Sequence, residues 1–217
     1  MEKQEKKAPT VEQVMEYRTW FDNLTDEAMA KISAFEREYN VFTHVYEEKG
    51  GYGVKDICGE VLIPAMFDKI ACVFSDEYRN WAVPVVKDGM MALVASDGKG
   101  TLLTPLEYDN IHFYLGYYYL FKDGKEGLAC VDGNILVPAE MDEVYAPFNS
   151  LVAFAKDGKY GFTMMGTGVI TEPIYDEHEL DESDTLVVVK DGVRGYLDEN
   201  GAFTLDRDES FFNANCW

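Results

Sequence analysis

The sequence predicts a mainly β protein. Five tandem three-stranded meander repeats of about 34 residues form an open solenoid or propeller-like array behind an N-terminal α-helical cap. Three observations predict it: a Lys-Asp-Gly triplet that recurs at a fixed period, a Pro-to-Asp landmark that closes each period, and helix-capping signals confined to the first 39 residues. The domain reading is a cap over 1–39 with a disordered start, an array over 40–205 and a tail over 206–217.

The triplet stands at Lys87-Asp88-Gly89, Lys122-Asp123-Gly124, Lys156-Asp157-Gly158 and Lys190-Asp191-Gly192, with starts 35, 34 and 34 residues apart. Three residues beyond each triplet's glycine comes a small residue: Ala92, Gly127, Gly161 or Gly195. An earlier copy reads Lys49-Gly50-Gly51, then Gly53 and Gly59. Asp-Gly supplies the positive φ pair that a two-residue hairpin turn needs. Each triplet is therefore expected between two strands, such as Leu151–Ala155 and Tyr160–Met164. The glycine inside the second strand implies close approach by a neighbouring side chain or backbone.

The landmarks are Pro64 with Asp68, Pro105 with Asp109, Pro138 with Asp142, and Pro173 with Asp176. Proline donates nothing to a ladder, so it is expected at a sheet edge or at the exit of a third strand. The aspartate is expected to form an Asx-type turn toward the next unit.

The N-terminal segment has a different period. Thr10 and Gln13 form a capping-box pattern ahead of a helix, with Val11, Val14, Met15, Trp20 and Phe21 as its apolar surface. Thr25 is placed to cap a second helix carrying Ala28, Ile32, Phe35 and Tyr39, with Leu24 and Met29 as a hydrophobic staple. A repeat buries its faces only against neighbours, so the helical pair is expected to cover the first unit. Phe211, Phe212 and Trp217 are expected to cover the last.

On these residues the chain resembles the WG-containing (KWG-type) repeat family. Its units read roughly Asp-Gly-Lys-Trp-Gly, an apolar stretch, Asp-x-x-Gly, a strand, then Pro and Tyr-Asp. The best unit is Lys156-Asp157-Gly158-Lys159-Tyr160-Gly161 with Pro173 and Tyr175-Asp176, and the resemblance covers about residues 40–205. The family's Trp is replaced by Tyr52, Met91, Glu126, Tyr160 and Arg194. The resemblance brings no catalytic residues; it implies a β-rich scaffold and at most a binding surface.

The chain of 217 residues carries 40 Asp+Glu against 19 Lys+Arg, a formal charge of −21. That balance has the wrong sign for counterion release from nucleic acid or for docking on anionic lipid. The start MEKQEKKAPT has no apolar signal region, and a cytoplasmic location is expected. Cys58, Cys72, Cys130 and Cys216 are irregularly spaced and read as free thiols rather than zinc ligands. His44, His112 and His178 stand far apart and read as surface or half-buried residues. No Gly-x-Ser-x-Gly elbow and no phosphate loop ahead of a helix is present. No cofactor, metal or catalytic residue is expected.

Two stretches rise above this background. From Thr171 to Glu209 the chain has 13 acids and three bases, a net −10, and the densest part contributes Asp176, Glu177, Glu179, Asp181, Glu182 and Asp184. They are candidates for docking a basic protein partner. Phe113–Phe121 is aromatic on both strand faces, which makes Tyr117 and Tyr119 candidate contact residues. The leading expectation is a non-catalytic protein-binding module of the bacterial cytoplasm, in its sharper form an acidic immunity protein that neutralises a toxin with a basic surface. The alternatives are a module that binds or hydrolyses a carbohydrate or small ligand, and a structural part of a larger assembly.

Overall fold

A computed structural model describes residues 6–212. Trp217, Cys216 and the first five residues of the expected disordered start lie outside that range. The chain divides into two compact units, one reaching Tyr108 and one starting at Asp109.

The first unit opens with helices α1 (Val11–Asp22) and α2 (Asp26–Glu38). The Thr10 hydroxyl accepts from Gln13 N–H and the Gln13 side chain accepts from Thr10 N–H, so the expected capping box forms. Thr25 caps α2 through Ala28 N–H. The face of α1 that is buried is Val14 and Tyr17, while Val11 and Met15 are exposed. Leu24 and Met29, the expected staple, are also exposed. The aromatic ring of Tyr17 stacks on Phe35 at 4.5 Å, and Val14, Ile32 and Val41 close the cluster together with Ile57 and Cys58 of the turn at 57–58 in the adjoining sheet's hairpin.

That sheet is β1 (His44–Glu48), β2 (Gly51–Lys55) and β3 (Val61–Phe67), in that order. The next holds β4 (Lys69–Ile70), β5 (Val83–Lys87) and β6 (Met90–Val94). Val54, Ile63, Phe67, Val83, Val85 and Val94 form their common core.

The second unit contains a four-stranded sheet of β7 (Asn110–Tyr114), β8 (Tyr117–Lys122), β9 (Lys125–Cys130) and β10 (Ile135–Met141). It continues with β11 (Glu143–Val144), β12 (Leu151–Lys156) and β13 (Lys159–Met164). The last sheet holds β14 (Glu177–Leu180), β15 (Leu186–Lys190), β16 (Val193–Leu197) and β17 (Phe203–Thr204). All pairings in these named sheets are antiparallel, and no sheet among the described residues closes into a barrel. Phe212 is fully buried against Leu186, Val188 and Leu197, while Phe211 stays partly exposed.

Asp88, Asp123, Asp157 and Asp191 have φ of 51–53°, and the glycine after each is also positive, as the hairpin reading requires. The three-stranded meander appears as expected in β1–β3 and is corrected elsewhere: two sheets carry a fourth strand, β7 or β14, ahead of the hairpin, and in two others β4 or β11 lies ahead of the hairpin while the third strand is reduced to isolated bridges. The reason lies in the landmark aspartate. Instead of turning locally, its carboxylate accepts the backbone N–H at the following Asp-Gly turn: Asp88 on Asp68, Asp123 on Asp109, Asp157 on Asp142 and Asp191 on Asp176, at 2.7–2.8 Å. The same residue's own N–H donates to that hairpin's first strand, at Val86, Phe121, Ala155 or Val189. The backbone beyond the aspartate is thus laid along the next hairpin and pairs with it.

Of the two places expected for proline, two landmarks take the sheet edge. Pro64 and Pro138 lie inside the edge strands β3 and β10, each at a register shift where three residues face one glycine. Pro138-Ala139-Glu140 bulge over Gly127, where an added Cβ would stand 2.6 Å from Ala139 N and 2.8 Å from Val137 O. An unpaired bulge position has no use for the N–H that proline lacks. The close approach read from the glycine is therefore present, and its partner there is the bulged backbone.

Candidate functional site

The expected acidic site begins at β14, an edge strand paired only to β15. Alternation puts Glu177 and Glu179 on one face and His178 and Leu180 on the other. Asp176, just before the strand, is half-buried and occupied by the fold: it accepts from Asp191 N–H and from the Lys159 ammonium. Lys159 first, then that N–H, hold its carboxyl below the usual range. Asp181 organises the following loop, accepting from Ser183 N–H at 2.8 Å, Thr185 N–H at 3.1 Å and Arg207 at 2.8 Å. These contacts, the Ser183 N–H foremost, lower its pKa as well. Asp184 has a left-handed backbone with φ 56° and donates its N–H to the Asp181 carbonyl. Glu179 pairs with Arg194 at 2.5 Å on the surface. Glu177 and Glu182 are exposed.

Further along, a hollow of about 420 Å³ is lined by Asp198, Glu199, Asn200, Asp208, Glu209, Ser210 and Phe211. Asp198 shapes one wall by accepting from Asn200 and Ala202 N–H. Asp206 shapes the other by accepting from Asp208 N–H in the short 3-10 turn Arg207–Glu209. The Glu209 carboxylate is held by the Thr204 hydroxyl at 2.7 Å. The wall chemistry is carboxylate with one aromatic edge, suited to cationic groups.

Tyr117 and Tyr119 share one face of β8 and are both half-buried. They pack on Leu128, Val137, Val144, Val152 and Phe154, and the Tyr117 hydroxyl donates to the Met165 sulfur. Burial raises the pKa of both phenols. The structure therefore does not bring these tyrosines and the acidic run together through any described contact. Tyr114, at the tip of the same hairpin, is the exposed ring of that stretch.

Two groups were not singled out in the sequence. The first is Arg18, which reaches from α1 to Asp76 at 2.7 and 2.9 Å and to Asp56 at 2.8 Å, both carboxylates being fully buried. Its signal, an arginine within an apolar helix face, is too common to read. The second is an aromatic group of Tyr145, Tyr160 and His178. Ring centroids are 6.2 Å apart for Tyr145–Tyr160, 4.7 Å for Tyr160–His178 and 6.5 Å for Tyr145–His178. Buried Phe162 lies 5.2 Å from the imidazole, and Tyr145 donates its hydroxyl to Glu143 at 2.8 Å. Desolvation lowers the His178 pKa, which favours the neutral ring.

Cys58, Cys72 and Cys130 are free thiols. Burial raises all three, Cys72 to about 11. Among the described residues no group of three or more His, Cys, Asp or Glu is placed to hold a metal ion, and no helix is long and apolar enough to cross a membrane.

Fold and site together define a mainly β protein of small antiparallel sheets, built on a recurring turn, latch and bulge, with an acid-rich final segment. The family described as WG containing repeat matches residues 131–160, the stretch that holds the Pro138 bulge, the Asp142 latch and the turn it binds. It is the family that the sequence resembles. No curated protein sequence matches the chain. Among solved structures, Kluyveromyces lactis Hsv2 aligns at 10% identity over 74% of this chain and 58% of that one, with a TM-score of 0.30. A second Hsv2 structure from the same organism aligns at 12% identity over 70% of this chain and 57% of that one, with a TM-score of 0.33. The chain thus spans under two thirds of the proteins it aligns with, and a likeness this loose assigns it no role.

Proposed function

We propose that the chain is a non-catalytic protein-binding module, an array of five repeat units left open or partly closed, acting in the cytoplasm on a partner with a basic surface. The observation that carries this reading is the acid-lined hollow at 198–211, close in sequence to the exposed Glu177 and Glu182 on a protein of net charge −21. Carboxylates concentrated on one segment steer a cationic partner and speed its encounter. An immunity role, in which the acidic segment blocks the basic active surface of a toxin, is the sharper form of the same reading.

The test is affinity capture with the full chain, repeated at rising salt. A basic protein should be retained at low salt and released as salt screens the contact, and Glu177→Gln with Glu182→Gln should weaken retention. Retention indifferent to salt, or no basic protein retained, overturns the reading.

A further inference from the structure

We propose that Tyr145, Tyr160 and His178 form a seat for one arginine side chain of the basic partner, with the guanidinium held over the three rings. This rests on the basic-partner reading above and names a contact through which it is made.

The group is not a by-product of the repeating frame. Counted from the landmark aspartates and the turn glycines, the preceding unit places His112, Glu126 and Val144 at the same three positions. There Glu126 is engaged in holding Val144 N–H at 2.9 Å. The following unit places Glu179 and Arg194 at the first two, and these form an ion pair. Only in the unit that runs from Asp142 to His178 are all three positions rings.

The geometry fits the ligand. The centroids form a triangle with sides of 4.7, 6.2 and 6.5 Å. The ring planes are tilted 40°, 60° and 70° from one another, and a cation over that triangle lies within the roughly 6 Å over which a ring face attracts it. Tyr145 and Tyr160 are half-exposed and His178 is exposed, so the rings are reachable, while buried Phe162 packs edge-on against the imidazole at 5.2 Å. Although the residue as a whole is exposed, Tyr160 and Phe162 pack against the imidazole and desolvate it in part, which favours the neutral ring instead of a like charge. Glu143, fixed on the Tyr145 hydroxyl, adds a carboxylate at the rim. A planar guanidinium stacks on rings and is weakly hydrated, which favours arginine over lysine.

The experiment is a titration of the full chain, followed by NMR of the Tyr145, Tyr160 and His178 ring signals. The probes are N-acetylargininamide, its neutral isostere N-acetylcitrullinamide and N-acetyllysinamide. The arginine amide should shift these signals saturably, the citrulline amide should not, and the lysine amide should bind more weakly. Tyr145→Phe should retain the effect, and Tyr145→Leu should weaken it about threefold or more. No saturable shift, an equal response to citrulline, or lysine binding as tightly as arginine overturns the proposal. The three-probe comparison on the unaltered chain decides the matter even if a variant fails to fold. Capture of a basic protein without the arginine response defeats this seat alone. The arginine response without any captured basic protein defeats the partner reading instead.

Discussion

The carboxylate of Asp176 holds the backbone N–H of Asp191 at 2.8 Å, across 15 residues of chain. A side chain at the end of one unit thereby fixes the turn of the next, and Asp68, Asp109 and Asp142 do the same for Asp88, Asp123 and Asp157. Asp142 adds a bond from Lys125 and Asp176 one from Lys159. The turn N–H sits where two successive residues already have positive φ, so the bond fastens the least favourable backbone of the hairpin.

These latches set an acid limit. The latches Asp68, Asp142 and Asp176, and beside them Asp181 in its loop, have folded pKa values held below the ordinary aspartate value of about 3.9 by the N–H, ammonium or guanidinium groups they accept from. A depressed folded value means that the unfolded chain binds more protons as pH falls. Their contribution is therefore complete above the unfolded value and is lost as pH falls through the folded ones. Urea midpoints should drop steeply below about pH 4. Asp142→Asn should lower the midpoint at pH 7, leave the urea m-value unchanged, and flatten that acid limb.

Gly127 tests the bulge. Its added Cβ would meet backbone atoms of Val137 and Ala139, which cannot step aside as a side-chain tip can. Gly127→Ala should destabilise by about 3 kcal/mol, at the upper end of overpacking effects. Gly161→Ala should be milder, because what it meets is the Phe154 ring. At the corresponding place Ala92 is accommodated beside a third strand reduced to isolated bridges at Leu102 and Tyr108. Thermal melts of the two alanine variants give the order directly.

Leu115 carries strain that its surroundings do not repay. It turns the β7–β8 hairpin with φ 50° ahead of Gly116 at 84°, and its side chain is 63% exposed. A left-handed backbone costs an ordinary residue about 1–2 kcal/mol, less for Asn, which is the preferred residue ahead of Gly in such a turn. Leu115→Asn should raise stability by about 0.5–1 kcal/mol, seen as a higher urea midpoint.

The hairpins were legible because Asp-Gly has few other uses, and the second-strand glycine because a missing side chain marks a close approach. The four-stranded form was not, since an aspartate that caps its own turn and one that caps a turn 14–20 residues away look alike in sequence. The acidic run was visible as charge, but not its division into Asp176 and Asp181, which are taken up by backbone N–H groups, and Glu177 and Glu182, which remain exposed. The aromatic seat escaped because its rings come from positions 145, 160 and 178, and His178 lies on a different sheet from Tyr160.

Arg18 is the least legible residue and has the largest predicted effect. Its guanidinium forks onto Asp76 and reaches Asp56, and hydrogen bonds to Asp76 first, then to Asp56, raise its pKa. Neither carboxylate has any exposed surface. The triad fastens α1 to the loop after β2 and to the short 3-10 turn Asp76–Tyr78. Removing one partner of a buried pair leaves an uncompensated charge, typically a loss of about 3–5 kcal/mol. Arg18→Met should therefore destabilise by about that amount, although Met preserves much of the packing volume. Asp56 keeps its N–H donors from Cys58 and Glu60, whereas the nearest remaining cation to Asp76 is Arg79, at 3.7 Å. Adding Asp76→Asn to Arg18→Met should accordingly recover more stability than adding Asp56→Asn. Equal recovery from both, measured by urea unfolding of the two double variants, would show that the burden is shared evenly across the triad.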